Sequence, residues 1–306
     1  MAKMIKIAGY APADTSHGRA LDRLALEAER LSDGRIRTEV IHNILDLDRP
    51  VTDLLSMVET GELTVCFHST SYLGSRLPEL DILEVPFTFP TLEAAHSALD
   101  GPLGHRLTDV TETETGFAVL GYWDNGFRHF TNRLRPIGAP EDLAGMRVRL
   151  QPNRLHEAMI EAWGGVPVAV ELSEGVAMIA AGSVDAQENP LANTAAYDVP
   201  RFHHYATMTG HLYGARGLYA HAATLGEMSP DDRDAIYEAA RLAIVFQRED
   251  SAAGERALRT SLAAGGMEFL DLDSDERRAF HDAAEPAIAL ARATIDPELF
   301  DLVEQR

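Results

Sequence analysis

Residues 121–132 read GYWDNGFRHFTN, residues 146–153 read MRVRLQPN and residues 165–194 read GVPVAVELSEGVAMIAAGSVDAQENPLANT. Three short apolar segments in this stretch have the composition of strands: Met146 to Leu150, Val166 to Val170 and Val184 to Ala186. A segment with helical character follows each of the first two. The pattern therefore predicts a βαβαβ unit.

Polar side chains follow these strands at the points where the strands end. Open α/β sheets bind their ligands at the carboxyl ends of the strands, so these side chains are candidates for a binding site. They are Arg149, Gln151, Asn153, Glu171, Ser173 and Gln187 to Asn189, and Arg128 lies upstream in the segment GFRHFTN. A guanidinium offers a planar fork of donors that matches the two oxygens of a carboxylate. The alternative is that both arginines are structural ion-pair partners in an acidic chain.

The start of the chain repeats the same unit. Strands are predicted at Met4 to Tyr10, Ile36 to Ile41 and Leu63 to Phe67, separated by one helix that starts near Thr15 or Ser16 and another that begins at Pro50. Two such units predict two α/β lobes that face each other across a cleft. Strand-end residues of the first lobe would form one side of the cleft: Tyr10, Asn43, His68, Ser69 and Tyr72.

A long helix is predicted after Ser229-Pro230, because an N-cap, a first-turn proline and two acids follow one another there and no break comes before Gly265. Ser274 is expected to cap a final helix that ends near Ala293. We expect lobe I to comprise residues 1–123 and about 213–252, and lobe II to comprise about 124–212 and 253–306. This order of elements is that of a type II periplasmic binding protein.

Several motifs resemble, in order along the chain, those of the solute-binding subunit of tripartite ATP-independent periplasmic (TRAP) transporters of the DctP type. The strongest are GFR at 126–128 with Thr131-Asn132, EDLAGMRVR at 141–149, Ser173-Glu174 and GSVDAQENP at 182–190. Weaker ones are GRI at 34–36, GEL at 61–63, LPEL at 77–80 and VPF at 85–87. The resemblance implies a two-lobed α/β fold with one long helix that spans both lobes.

The resemblance also implies roles for individual residues. Arg149 is at the position of the family's carboxylate-binding arginine, Arg128 at that of a second arginine, and Asn189 at that of a pocket asparagine. Leu172 falls where relatives often have an aromatic residue. Further candidate ligand contacts are Trp123, Asn125 and Tyr213, together with the lobe I residues His68, Ser69, Tyr72 and Tyr10.

The chain departs from the family pattern at two places. The segment HNILDLDR at 42–49 replaces the family's usual Pro-x-x-Gln-Leu-Gly-x-x-x-Glu, and Ala169 replaces a second proline after Pro167. Both changes alter the part of the site that would contact the far end of the ligand. The ligand therefore stays open among the organic acids, and an unusual ligand that is not an acid is an alternative.

Composition restricts the partners of the protein. With 48 acids against 27 bases, the formal charge of −21 argues against nucleic acid and anionic membranes. One cysteine, Cys66, allows neither an internal disulfide nor a cysteine metal cluster. The histidines at 203, 204, 211 and 221 lack the spacing of a metal site, so we expect no metal and no cofactor.

The functional expectation is a monomeric or weakly dimeric receptor, not an enzyme, that closes on a small organic acid and delivers it to the TRAP membrane permease. One alternative is a small α/β enzyme that acts on a carboxylic acid, with Arg149 as clamp and His68 as base. Another is a periplasmic ligand sensor. The opening residues MAKMIKI predict a strand and contain no signal peptide. The resemblance implies a periplasmic protein from which the export signal has been removed.

Overall fold

A computed structural model describes residues 2–304, so Met1, Gln305 and Arg306 of the predicted lobes lie outside the described residues. Strands and helices alternate along most of the chain. The nine strands found in the described part are β1 Lys3–Ala8, β2 Ile36–Ile41, β3 Val65–Ser69, β4 Phe117–Asn132, β5 Arg147–Leu150, β6 Val166–Ala169, β7 Ala186–Asn189, β8 Tyr205–His221 and β9 Glu268–Asp271.

Twelve α-helices are found between residues 2 and 304. They are α1 Ser16–Leu31, α2 Asp53–Glu59, α3 Leu92–Leu99, α4 Pro102–Glu114, α5 Arg154–Ala162, α6 Leu172–Ala180, α7 Leu191–Ala196, α8 Ala222–Gly226, α9 Pro230–Ala264, α10 Ser274–Ala283, α11 Glu285–Thr294 and α12 Pro297–Glu304. The predicted long helix corresponds to α9, which has 35 residues.

The chain divides into two compact units. Unit 1 comprises Met1–Ser69, Leu99–Asp124 and Ala215–Gly254, and unit 2 comprises Thr70–Ala98, Asn125–Gly214 and Glu255–Arg306. The strands β4 and β8 and the helix α9 each contribute residues to both units. The lobe boundaries drawn from the sequence stay a prediction; the compact units differ from them mainly in placing residues 70–98 in unit 2.

In unit 1 the strands lie in the order β2, β1, β3 and β8. The strands β1, β2 and β3 are parallel, and β8 joins β3 in the antiparallel direction. The helix α1 buries Leu21, Leu24 and Ala28, whose spacing places them on one face. Thr15 caps this helix by accepting a hydrogen bond from the backbone of Gly18.

In unit 2 the strands lie in the order β4, β7, β5 and β6. The strands β5, β6 and β7 are parallel, whereas β4 is antiparallel to β7. The strand β9 pairs in parallel with the part of β8 that belongs to unit 2. Because β5, β6 and β7 are parallel, their carboxyl ends share one edge, and the loops that follow them begin there.

Two strands lie later in the chain than predicted. The third strand of each βαβαβ unit was expected at 184–186 and 63–67, but the structure has Ala186–Asn189 and Val65–Ser69. Both strands end in buried polar residues, such as Glu188 and His68, which an apolar pattern does not detect. The predicted segments at 205–209 and 218–221 are the two ends of one strand, β8.

Two predicted helices also begin elsewhere. The helix expected from Pro50 begins at Asp53. The N-cap of α10 is Asp273 rather than Ser274, since its carboxylate accepts from the backbone of Asp275 and Glu276. The helix expected to end near Ala293 is divided into α10 and α11, with a proline in the first turn of α11, and α12 follows.

Cys66 lies in the middle of β3 and is fully buried. Burial disfavours the thiolate, so it raises the pKa of this thiol far above its usual range. Its backbone pairs with Tyr219 of β8. Cys66 is therefore a core residue, as its apolar surroundings in the sequence predict.

Candidate functional site

Arg149 is the penultimate residue of β5 in unit 2, and its side chain packs under the first turns of α6. It is 2% exposed. Its Nη2 donates to the carbonyl of Val170 at 3.0 Å. A β-carbon built on Gly175 of α6 would lie only 2.3 Å from Arg149 Nε, so the absence of a side chain at Gly175 makes room for the guanidinium.

The charge of Arg149 has no anionic partner within the described residues. None of their carboxylates lies within 4.0 Å of its nitrogens, and its buried Nε has no hydrogen-bond acceptor. Burial lowers the pKa of Arg149, while the nearby phenol of Tyr72 and carboxylate of Glu188 act in the opposite direction. A buried cation without an anion is costly, so an anionic ligand would stabilise this arrangement.

Arg128, in contrast, is paired. Its Nε and Nη2 donate to the two carboxylate oxygens of Glu188, the second at 2.7 Å, and Nη2 also donates to the Glu188 carbonyl at 2.9 Å. Both side chains are buried. Burial alone would raise the pKa of Glu188, but the Arg128 guanidinium holds that pKa well below its usual range. The Arg128 charge is thus engaged within unit 2.

Two histidines complete this buried polar group. His211 Nε2 lies 3.6 Å from the Glu188 carboxylate, and its Nδ1 lies 2.6 Å from Thr209 Oγ1. Its ring stacks on Phe130 with 4.9 Å between centroids. His156 Nε2 donates to Glu84 at 2.8 Å. These contacts restrict the rotamers of the group, so the buried surface that it forms near Arg149 has a fixed shape.

Asn189, at the end of β7, belongs to a cluster of amides in unit 2. Asn193 Nδ2 donates to Asn189 Oδ1 at 3.1 Å and to Asn125 Oδ1 at 3.0 Å. Gln187 Nε2 donates to Thr194 Oγ1 at 3.2 Å. All five side chains are buried. Such a cluster offers both donors and acceptors in a small volume.

Three other predicted contacts also lie in unit 2. Tyr72 ends a short 3-10 turn. The pKa of its phenol is raised by burial, and the nearby Arg149 offsets part of that rise. Leu172 opens α6 and is 6% exposed. Tyr213 lies in β8 and packs edge-on against Phe89 and Phe127. The structure thus brings Tyr72 close to Arg149, and it places Tyr213 in an aromatic group.

The remaining predicted contacts lie in unit 1. The backbone of Ser69 donates to Tyr10 Oη at 3.2 Å, and the Tyr10 ring packs against Phe67. His68 is fully buried, with its Nε2 3.0 Å from the carbonyl of Val51. Trp123 is fully buried beside Phe67. His68 Nδ1 lies 3.3 Å from the carbonyl of Ser69, so both ring nitrogens of this buried histidine lie beside backbone carbonyls, which disfavours His68 as a base.

Two residues of this site carry no obvious signal in the sequence. Gly175 follows Ser173-Glu174, and from the sequence it would be interpreted only as a residue of low helix propensity. Asn193 follows the strand by four residues and looks like an ordinary helix residue.

No group of three or more metal-binding side chains converges anywhere in residues 2–304. In the same range no helix is both long and apolar enough to cross a bilayer.

Comparison with known proteins gives consistent matches. The family model for bacterial extracellular solute-binding proteins, family 7 (DctP), matches residues 7–293. A solute-binding protein of Verminephrobacter eiseniae is 32% identical over 265 residues, or 85% of this chain and 77% of the relative.

Solved structures match over almost the whole chain. The sugar acid binding protein DctPAm of Advenella mimigardefordensis, in complex with galactonate, has a TM-score of 0.93 and 25% identity, covering 99% of this chain and 98% of that one. A TRAP periplasmic solute-binding protein of Polaromonas sp. JS666, bound to D-erythronate, has a TM-score of 0.92 and 26% identity with the same coverage.

Proposed function

Since the chain belongs to family 7 of the bacterial extracellular solute-binding proteins, we propose that it binds a small organic acid by its carboxylate at Arg149. The predicted family and the two-lobed α/β fold class are both confirmed. The ligand and its contacts are the proposal.

The observation that carries the proposal is the buried guanidinium of Arg149 without a carboxylate partner. A carboxylate would accept two parallel hydrogen bonds from this fork, and both would be strengthened by charge in a site that excludes water. Arg149 is held in place by the carbonyl of Val170 and by the space at Gly175. A donor fixed before the ligand arrives loses little conformational entropy on binding.

The neighbouring groups favour an acid that also carries hydroxyl groups. The amides of Asn189, Asn193 and Asn125 can each donate or accept a hydrogen bond, as a hydroxyl does. Two structural neighbours were solved with galactonate and D-erythronate. We assign Arg128 a supporting role, because Glu188 already uses its fork, and we assign Leu172 an apolar contact with the carbon chain.

The family is extracytoplasmic, and its members work in transport. We infer that this chain acts outside the cytoplasm and delivers its ligand to TRAP membrane components rather than converting it. A binding protein returns its ligand unchanged. Recovery of the intact acid after prolonged incubation with the protein is the expected result, and any turnover would favour the enzyme alternative.

The proposal is tested by a thermal-shift screen with small organic acids, sugar acids, amino acids and amines. A ligand at 1,000 times its dissociation constant stabilises the folded state by about 4 kcal/mol, which corresponds to a shift of several degrees in Tm. We expect a shift with one class of carboxylates and none with the matching amides. A shift with amines alone would mean that Arg149 is structural and that the ligand class is wrong.

A further inference from the structure

A cavity lies in unit 2, on the other face of the sheet from the Arg128–Glu188 pair. Its volume is about 280 Å³. Successive side chains of a strand point to opposite faces, so Phe127 and His129 face away from Arg128, and Met208 faces away from Thr209. The lining residues are Pro90, Phe127, His129, Met208, Gly210, Glu255, Asp271, Leu272 and Arg277.

His129 presents a fixed donor to this cavity. Its side chain is 6% exposed, and its Nδ1 accepts a hydrogen bond from the backbone N–H of Gly210 at 3.0 Å. Burial lowers the pKa of His129 to about 3, so the ring is neutral near pH 7 and its proton is on Nε2. Across residues 2–304, no acceptor is found for this Nε2–H.

Arg277, from the first turns of α10, is the second donor. A β-carbon built on Gly210 would lie 3.1 Å from Arg277 Nη1, which places the guanidinium over that backbone and near His129. Within the described part of the chain, no carboxylate lies within 4.0 Å of the nitrogens of this guanidinium. Arg277 is exposed, so its guanidinium is accessible to an anion that enters the cavity from solution.

The other lining groups leave room for an apolar body. Phe127, Met208 and Leu272 are only partly buried, so they offer apolar surface to the cavity. The carboxylate of Asp271 is held by Arg259 at 2.5 Å, and this pairing lowers the pKa of Asp271. Asp271 is therefore already paired. The other lining carboxylate, Glu255, also lies near Arg259, and both acids raise the pKa of that arginine.

We propose that this cavity is a second binding site, for a small carboxylate with a compact apolar body. One carboxylate would accept hydrogen bonds from Arg277 and from His129 Nε2, and its body would rest on Phe127 and Met208. The volume falls just below the roughly 300–1,000 Å³ of sites for drug-sized ligands, which limits the occupant to about the size of benzoate. The site shares no side chain with the Arg149 site.

The test uses 4-fluorobenzoate as the probe, with 4-fluorobenzamide as its neutral counterpart, and measures fluorine NMR line widths. The protein carries Arg149→Ala, so that the proposed carboxylate site in unit 2 is removed. We expect the acid to bind with a dissociation constant on the order of 1 mM, as is usual for so few atoms, and the amide to bind at least tenfold more weakly.

Arg277→Ala added to this background should weaken binding of the acid about tenfold or more, because it removes the positive charge that would pair with the carboxylate. Arg278→Ala is the matched control, since the neighbouring Arg278 is exposed and pairs with Asp275. Its effect should be negligible. Should Arg149→Ala fail to fold, the same pair of variants is compared in the wild-type background.

The proposal is overturned if the acid and the amide bind equally, or if Arg277→Ala and Arg278→Ala have the same effect. It is also overturned if the acid does not bind to the Arg149→Ala protein. None of these results bears on the Arg149 site, which the thermal-shift screen tests separately.

Discussion

Gly175 and Arg149 occupy adjoining space, such that a β-carbon on Gly175 would lie 2.3 Å from Arg149 Nε and 2.9 Å from its Cδ. These are not the mobile tip of the side chain, so Arg149 cannot avoid the clash by a small rotation. The position of the proposed ligand-binding guanidinium therefore depends on a residue that has no side chain of its own.

The first prediction concerns Gly175→Ala. The added methyl group should displace the Arg149 guanidinium and weaken binding of the organic acid about tenfold or more. A small displacement of a guanidinium is enough to misalign its two hydrogen bonds to a carboxylate. Overpacking should also lower the free energy of unfolding by ~1–3 kcal/mol. Affinity is measured by calorimetric titration and stability by urea unfolding.

Gly254→Ala is the control for that substitution. Gly254 also lies within a helix, but nothing approaches the place of its β-carbon within 4 Å. This change should leave affinity unaltered and raise stability by about 0.5–1 kcal/mol, because alanine favours the helix. Unchanged affinity in both variants would remove Gly175 from the site.

The second prediction concerns Arg149 itself. Arg149→Ala should lower affinity by a few hundredfold or more, on the basis of the ~3–5 kcal/mol lost when a desolvated charge pair is broken. Arg149→Lys should lower affinity nearly as much, because an ammonium group cannot form two parallel hydrogen bonds to a carboxylate. Arg147→Ala serves as control, since Arg147 starts the same strand but pairs with Asp185. Near-normal binding by both Arg149 variants would refute the carboxylate assignment.

The third prediction separates Arg128 from Arg149. Arg128→Ala leaves the buried carboxylate of Glu188 without its main partner, so the free energy of unfolding should fall by ~3–5 kcal/mol, while the loss of affinity should be smaller than for Arg149→Ala. The double change Arg128→Met with Glu188→Leu should recover much of this stability.

Arg241→Ala provides the matched surface pair, because Arg241 and Glu238 are both largely exposed. Its effect should stay within about 0.5 kcal/mol. If Arg128→Ala lowered the free energy of unfolding no more than Arg241→Ala does, the Arg128–Glu188 pair would not contribute to the stability of unit 2. Urea unfolding at pH 7 makes the comparison.

The fourth prediction is a dependence of stability on pH. Burial lowers the pKa of His203 to about 4, whereas an unfolded histidine titrates near 6.5. Between these values the unfolded chain binds a proton that the folded chain does not. The free energy of unfolding should therefore fall as the pH drops from about 6.5 to about 4, by on the order of 1.4 kcal/mol per pH unit for each such group.

His203→Gln should reduce this slope, and His105→Gln, at an exposed position, should leave it unchanged. Thermal unfolding between pH 4 and pH 7 measures both. Equal slopes in the wild type and the His203 variant would contradict the assignment. Glu188 acts at lower pH, because its pKa is depressed and its contribution is lost only as the carboxylate is protonated.

The sequence predicts the framework of the site because that framework follows from strand ends. Parallel strands place their last residues at one edge, so the sequence alone assigns Arg149 and Asn189 to that edge. Partners could not be assigned in this way. That Glu188 engages Arg128, while Arg149 has no carboxylate, depends on which side chains face each other across β4, β5 and β7.

The strands that were misplaced share one cause. Sequence patterns detect strands by their apolar residues, but β7 and β3 finish with residues that are polar and buried. Gly175 and the cavity beside His129 were missed for a different reason. Both depend on how closely a helix packs on its neighbours, and a one-dimensional pattern does not give that distance.

The isolation of Cys66 in β3 makes the protein a convenient starting point for a fluorescent sensor. The thiolate is the reactive form, and burial suppresses it at this position. A cysteine introduced at an exposed site would therefore react with a maleimide dye while Cys66 stayed unmodified. Dyes attached one at a time to either unit could then report ligand binding without first removing the natural thiol.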